Sequence, residues 1–221
     1  MAEILSHEQA AKKITSGATV MIGGFGNIGN PKEIIEYIAE SDIKDLTVIA
    51  NDLGTANVGL GRWVRQDKIK KAVGSYFTYN PEVAQKYREG KIDLKLMAQG
   101  TYAEAIRAGG SGIGGFYTKI GLGTEIAEGE EIHIIDGEEY LFIRPLKADF
   151  AVLHAKKADT LGNLVYEGTS RNFNPIMAMA AKYTIVEVEE IVPVGSISPE
   201  EVITPFIFVD ALVKVNTEVK K

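Results

Sequence analysis

The residue types placed to do chemistry in this chain are carboxamides and glycines. Asn51 follows the apolar run Leu46-Thr47-Val48-Ile49-Ala50, and Gln99 follows the run from Asp93 to Met97, each of which reads as a strand. Both side chains can donate hydrogen bonds to a carboxylate or thioester oxygen without adding charge, and each can equally cap a neighbouring turn. The third feature is Thr19-Val20-Met21-Ile22-Gly23-Gly24-Phe25-Gly26-Asn27-Ile28-Gly29-Asn30-Pro31, with four glycines in seven residues. Asn30 suits an N-cap and Pro31 the first helical position. Amides exposed by such a strand, loop and helix start can hold an anion or a developing oxyanion, although glycines here also suit a simple tight turn.

Gly24, Gly26 and Gly29 formally satisfy the G-x-G-x-x-G dinucleotide fingerprint. In that fingerprint the helix starts within the glycines, and an acidic ribose partner follows roughly 20 residues on. Here Asn30-Pro31 starts the helix after the glycines, and Asp52 comes late.

Nucleophiles and metal ligands are hard to find. The chain has no cysteine, which excludes disulfides, thiolate catalysis and cysteine-ligated metal sites. His7, His133 and His154 have no metal-motif spacing and are expected at the surface or in packing. Glu104, Glu125 and Glu167 lie near glycine-rich loops, where solvated or capping roles are the default. Ser111, in Gly-Gly-Ser-Gly-Ile-Gly, lacks the strand-to-helix turn of a nucleophile elbow. Arg62, Arg65, Lys68, Lys70 and Lys71 make a basic segment that suits phosphates or, more simply, a solvated face. Met177 and Met179 are expected in the core.

These residues need elements to position them. Ser6-His7-Glu8-Gln9 resembles a helix start, and Gly17 ends that helix. Strands are expected at Ala18 to Ile22, Leu46 to Ala50, Ala72 to Phe77 and Asp93 to Met97. Helices are expected from Asn30-Pro31 to Ser41, from Gly59 to Lys71 and from Pro81 to Arg88. That alternation implies βαβ units and a parallel sheet covered on both faces. A helix from Gly100 then leads to the loop Ala108 to Gly115 and to Phe116-Tyr117-Thr118. Glu131 to Ile135 and Glu139 to Ile143 form a hairpin through Asp136-Gly137. Phe150 to His154, Tyr183 to Glu187 and Phe206 to Val213 read as late strands, Asn174-Pro175 as a helix start, and Pro199-Glu200-Glu201 as a short turn or helix. The expected architecture is a single α/β domain over residues 1–221, an open, mainly parallel sheet with a β-hairpin excursion near 131–143. Thr217 to Lys221 is expected to be a loose tail.

The composition fits a globular protein: 221 residues, 45% hydrophobic and 24% charged. A net charge of −6 argues against nucleic-acid binding by the fold as a whole. No basic-then-apolar leader opens the chain and no window approaches a membrane span, so a cytoplasmic, membrane-free protein is expected.

Seven segments in order resemble the A (alpha) subunit of family I coenzyme A transferases. They are Gly23-Gly24-Phe25-Gly26 with Gly29 and Pro31, Asn51-Asp52, Gln99-Gly100-Thr101, Ile106 to Gly112, Gly121-Leu122-Gly123-Thr124, Leu161-Gly162-Asn163 and Ser170-Arg171-Asn172-Phe173-Asn174-Pro175. The likeness runs from about residue 5 to about residue 215 and is nearest to the acetate or butyrate:acetoacetate group. It is also similar to the N-terminal half of succinyl-CoA:3-oxoacid CoA-transferase.

The resemblance implies ping-pong acyl transfer. A glutamate attacks an acyl-CoA thioester, giving an acyl-glutamyl anhydride and then an enzyme-CoA thioester. In the family that glutamate lies in a Ser-Glu-Asn-Gly motif of the beta subunit, and no such motif occurs here. The implied partner is therefore a beta subunit carrying the catalytic Glu, in an α2β2 or higher assembly acting on acyl-CoA and short carboxylic acids. Coenzyme A is a substrate, with no permanent cofactor or metal. By the same resemblance Asn51 belongs to the oxyanion hole and Gln99 contacts the carboxylic acid. The loop with Gly24, Phe25, Gly26 and Gly29 lines the cleft toward the partner, and Gly110, Gly112 and Gly114 shape the acyl pocket. Ala98, Tyr102 and Ala105 depart from the family pattern beside the acid site, which bears on substrate choice more than on reaction type. Two other classes stay open at the level of residues: a nicotinamide-dependent oxidoreductase, resting on the fingerprint, and a non-catalytic sensor of acyl-CoA or organic acids.

Overall fold

A computed structural model describes residues 1–216; the tail expected at 217–221 lies outside the described residues. In chain order the elements are β1 (Glu3–Leu5), α1 (His7–Lys13), β2 (Thr19–Ile22), α2 (Lys32–Ala39), β3 (Leu46–Ile49), α3 (Leu60–Arg65), β4 (Ile69–Gly74), α4 (Pro81–Arg88), β5 (Asp93–Leu96) and α5 (Gln99–Gly110). Then come β6 (Phe116–Thr118), β7 (Glu131–Ile135), β8 (Glu138–Ile143), β9 (Ala148–Asp159), β10 (Leu164–Val165), α6 (Asn174–Ala178), β11 (Ala181–Val192) and β12 (Ala211–Lys214).

The main sheet runs β1-β12-β11-β9-β2-β3-β4-β5, with every neighbouring pair parallel and β10 added antiparallel on β9. Its central strands are apolar on both faces because both faces are covered. Val20, Ile22, Val48, Val152 and Ile185 meet Ile34, Ile38, Trp63 and Val83 of α2, α3 and α4 on one side. Met21, Ile49, Leu153 and Val186 meet Tyr102, Ile106 and Met177 of α5 and α6 on the other. The hairpin β7–β8 turns through Asp136 (φ 52°) and Gly137 (φ 80°), the positive-φ pair that an Asp-Gly hairpin uses, and β6 adds a third strand. Leu141 and Ile143 anchor this small antiparallel sheet on the α5 and α6 face.

Helix α1 opens as its sequence indicates: the Gln9 amide donates to Ser6 Oγ and the Ser6 amide to Gln9 Oε1, a capping box. Helix α2 does not. Pro31 is its N-cap and Lys32 its first residue, while the Asn30 side chain turns back and donates to the Gly23 carbonyl at 3.1 Å. The helix expected to reach Lys71 stops at Arg65, because Asp67 turns left-handed (φ 54°) and Ile69 already pairs with Leu46. Strand β4 accordingly ends at Gly74 rather than Phe77. Of the basic segment, Arg62 pairs with Glu36 and Glu40 and Arg65 with Glu82, while buried Lys68 donates to the Ser41 and Ile43 carbonyls. The strand expected from Phe206 begins only at Ala211, after a 3-10 turn over Phe206–Phe208. Strand β1 carries no strong sequence signal and exists because β12 offers it a parallel edge. Met177 is buried and Met179 half-buried.

Candidate active site at the carboxyl ends of the strands

The strand order reverses between β2 and β9: β3, β4 and β5 follow β2 outward on one side, and β11 and β12 follow β9 on the other. Crevices of open α/β sheets form at such reversals, outside the carboxyl ends of the strands. Of the sequence candidates, the glycine loop, Asn51 and Gln99 meet there, with Ser75 beside them. The loop from Gly23 leaves β2, Asn51 lies two residues beyond β3, Ser75 lies one residue beyond β4, and Gln99 opens α5 after β5.

Asn51 is buried, and its carboxamide is held at both ends. Its Nδ2 donates to Asp52 Oδ2 at 2.9 Å, while its Oδ1 accepts from Ser75 Oγ at 2.7 Å and from Gln99 Nε2 at 3.1 Å. The structure thus brings together the two carboxamides singled out in the sequence. A primary amide has two N–H groups, and among the described residues Asn51 and Gln99 each engage one of theirs in these hydrogen bonds. Gln99 is exposed at the carboxyl edge of the sheet.

The glycine loop is fixed by Asn172 and Asn174, far from it in sequence. The Gly24 amide donates to Asn172 Oδ1, Asn172 Nδ2 donates to the Ile28 carbonyl, and Asn174 Nδ2 donates to the Gly29 and Ser170 carbonyls. At Gly23 a Cβ would lie 1.8 Å from Asn174 Oδ1, so this close approach requires glycine. Phe25 and Ile28 exchange backbone hydrogen bonds across a tight turn in which Gly26 takes φ 58°, leaving Phe25 half exposed at the tip. The Gly26 amide donates to Asp52 Oδ2 at 2.7 Å.

This arrangement is not a pyrophosphate cradle. The Ile34 amide in the first turn of α2 donates to Glu187 Oε2 at 2.9 Å, so the chain's own carboxylate sits where a phosphate would. Glu187 is buried, and desolvation pushes its pKa up to about 7 against the opposing pull of the Ile34 N–H. Asp52, the candidate ribose partner, already accepts from Gly26, Asn51 and Gly54.

Gly110, Gly112 and Gly114 do not join Asn51 and Gln99 within this chain. Gly110 ends α5, about 16 Å along the helix from Gln99 by the usual rise per residue. A Cβ at Gly110 would strike Met179, whereas Gly112 and Gly114 face open space. Tyr102 lies on the buried side of α5 with its ring 5.3 Å from that of Phe173. Burial, and then the Asp52 charge, raise its phenol pKa well above the usual tyrosine value. His7 is buried beside Glu33 and stacks on Tyr37, while His133 is exposed on the hairpin. Among the described residues no group of three or more His, Cys, Asp or Glu is arranged to hold a metal ion, and no helix is long and apolar enough to cross a membrane.

A doubly covered parallel sheet with neutral hydrogen-bond donors gathered at the carboxyl ends of its strands defines an α/β protein of the open-sheet class. Comparison with known proteins narrows the class. Residues 4–215 match the Coenzyme A transferase family. The chain is 39% identical over 211 residues to the acetate CoA-transferase subunit alpha of Escherichia coli, covering 96% of each. It is 42% identical over 212 residues to the acetoacetyl-CoA:acetate/butyrate CoA transferase alpha subunit of Clostridium acetobutylicum, covering 96% of this chain and 97% of that one. The fold matches glutaconate coenzyme A-transferase from Acidaminococcus fermentans with a TM-score of 0.86 at 21% identity, over 97% of this chain and 76% of that one. The chain belongs to the coenzyme A transferase family.

Proposed function

We propose that this chain is the α subunit of a heteromeric CoA-transferase that moves CoA between a short-chain acyl-CoA and a carboxylic acid of the acetate, butyrate, acetoacetate or succinate class. Asn51 donates to the thioester oxygen as negative charge develops on it, and Gln99 holds the acid. A beta subunit supplies the nucleophilic glutamate, and the reaction runs as a ping-pong exchange in the cytoplasm, with this chain contributing one domain to an α2β2 or higher assembly. The glycine loop, with Phe25 at its tip, forms the wall facing that partner.

One observation supports the reading: at the carboxyl edge of the sheet Asn51 and Gln99 each have a second N–H not taken up among the described residues, while the Asp52 carboxylate there is committed to three donors of its own chain. On this reading the nucleophile comes from the partner. The names of the two relatives, each an alpha subunit of a transferase acting on acetate or acetoacetyl-CoA, point the same way.

The test is acyl exchange by the purified chain with and without its beta subunit. Exchange only in the mixture is expected. Exchange by this chain alone contradicts the shared-site reading, and tight acyl-CoA binding without turnover in the mixture favours a sensor.

A further inference from the structure

We propose that Asp52 is a positioning residue for the acyl-transfer site, fixing the donor direction of the Asn51 carboxamide and latching the glycine loop at Gly26 to the end of β3. The inference rests on the reading of Asn51 as the oxyanion donor.

The geometry is specific to a carboxylate. Asp52 Oδ2 accepts from the Gly26 amide at 2.7 Å and from Asn51 Nδ2 at 2.9 Å, and Oδ1 accepts from the Gly54 amide at 2.9 Å. The residue is 6% exposed, and all three of these donors are neutral. An asparagine here would have to turn its own NH2 toward either Gly54 or the pair Gly26 and Asn51, losing at least one tether.

The opposite end of the Asn51 amide is fixed as well. With Ser75 Oγ and Gln99 Nε2 both donating to Asn51 Oδ1, a flipped carboxamide would set its NH2 against the Gln99 donor and its oxygen against the Asp52 carboxylate. The carboxamide is locked, and its second Nδ2 hydrogen is the one left for a ligand. Because Gly26 and Asn51 share one oxygen, displacing the loop and rotating the donor are coupled events.

Charge and position predict opposite signs. A carboxylate near a developing oxyanion repels it, so Asp52→Asn would speed turnover if charge dominated. If positioning dominates, turnover falls, because a preorganised donor loses value when its direction is no longer held.

The experiment compares α/β complexes carrying wild-type, Asp52→Asn, Ser75→Ala or Asn51→Ala α chains. It reads kcat, KM for acyl-CoA, and hydrogen–deuterium exchange of the peptide covering residues 23–30. For Asp52→Asn we expect kcat to fall about 30-fold or more, KM to stay within about threefold, and exchange to quicken in residues 23–30 alone. Unchanged or raised kcat overturns the proposal, as does a joint change in kcat and KM with protection lost throughout the chain. Should Asp52→Asn fail to assemble, Ser75→Ala decides, since it loosens the same carboxamide from the other end: a fall in kcat at steady KM supports the proposal and full turnover overturns it. Full turnover in Asn51→Ala refutes the underlying donor reading, and this inference with it. Impaired Asn51→Ala beside intact Asp52→Asn refutes this inference alone.

Discussion

On the proposed reading, Asn51 and Gln99 divide the donor work as their environments allow. Asn51 is buried and held at both ends of its amide, whereas Gln99 is exposed and rests on Asn51 through a single 3.1 Å hydrogen bond. The buried donor suits an oxygen that gains charge only in the transition state, and the exposed one a substrate that comes and goes. Gln99→Ala in the α/β complex should therefore raise KM for the carboxylic acid by about tenfold, the loss of one hydrogen bond to a charged group, with a smaller change in kcat. Steady-state kinetics with varied acid checks this, and an unchanged KM removes Gln99 from acid binding. Both carboxamides were legible in the sequence because each follows a recognisable strand. Ser75 was not, since the expected strand ran through it to Phe77 and hid its place at the strand end.

At the scale of elements, the alternation to residue 100 and the hairpin near 131–143 were readable because local patterns set them: buried apolar runs, glycine stops, Asp-Gly. What could not be read were features set by residues far apart. Asn30 looks like an N-cap, yet a loop that doubles back on Gly23 claims its side chain. The motif Ser170 to Pro175 read as part of the family resemblance and, at Asn174-Pro175, as a helix start; only the fold shows Asn172 and Asn174 reaching back some 145 residues to strap the glycine loop. Glu187 is a residue of β11 that caps α2 across 153 positions.

Glu187 also makes the α2 start sensitive to pH. Its folded pKa of about 7 exceeds the ordinary 4.5, so between those values the folded state binds more protons than the unfolded state and stability falls as pH rises. The full effect, about 3 kcal/mol at most, is reached above pH 7 and vanishes below pH 4.5. Glu187→Gln keeps an acceptor for the Ile34 amide without the charge. Its melting temperature should hold nearly level between about pH 5 and about pH 8 while that of the wild type falls. Parallel curves would exclude Glu187 as the titrating group.

For the whole molecule, the topological reversal between β2 and β9 explains why segments distant in sequence meet at one edge. Gly23 to Asn30, Asn51, Ser75 and Gln99 all leave the carboxyl ends of four neighbouring strands, so the crevice is a consequence of strand order rather than of any one motif. Among the described residues that edge presents donors, an exposed aromatic tip and an Asp52 carboxylate held by three donors of its own chain, and on the proposed reading the beta subunit supplies the nucleophile. The most direct test is to incubate the α/β complex with acyl-CoA in the absence of acid acceptor, denature it and weigh each chain by intact-mass spectrometry. An acyl or CoA adduct is expected on the beta chain and an unmodified mass for this one. An adduct on this chain would contradict the shared-site reading.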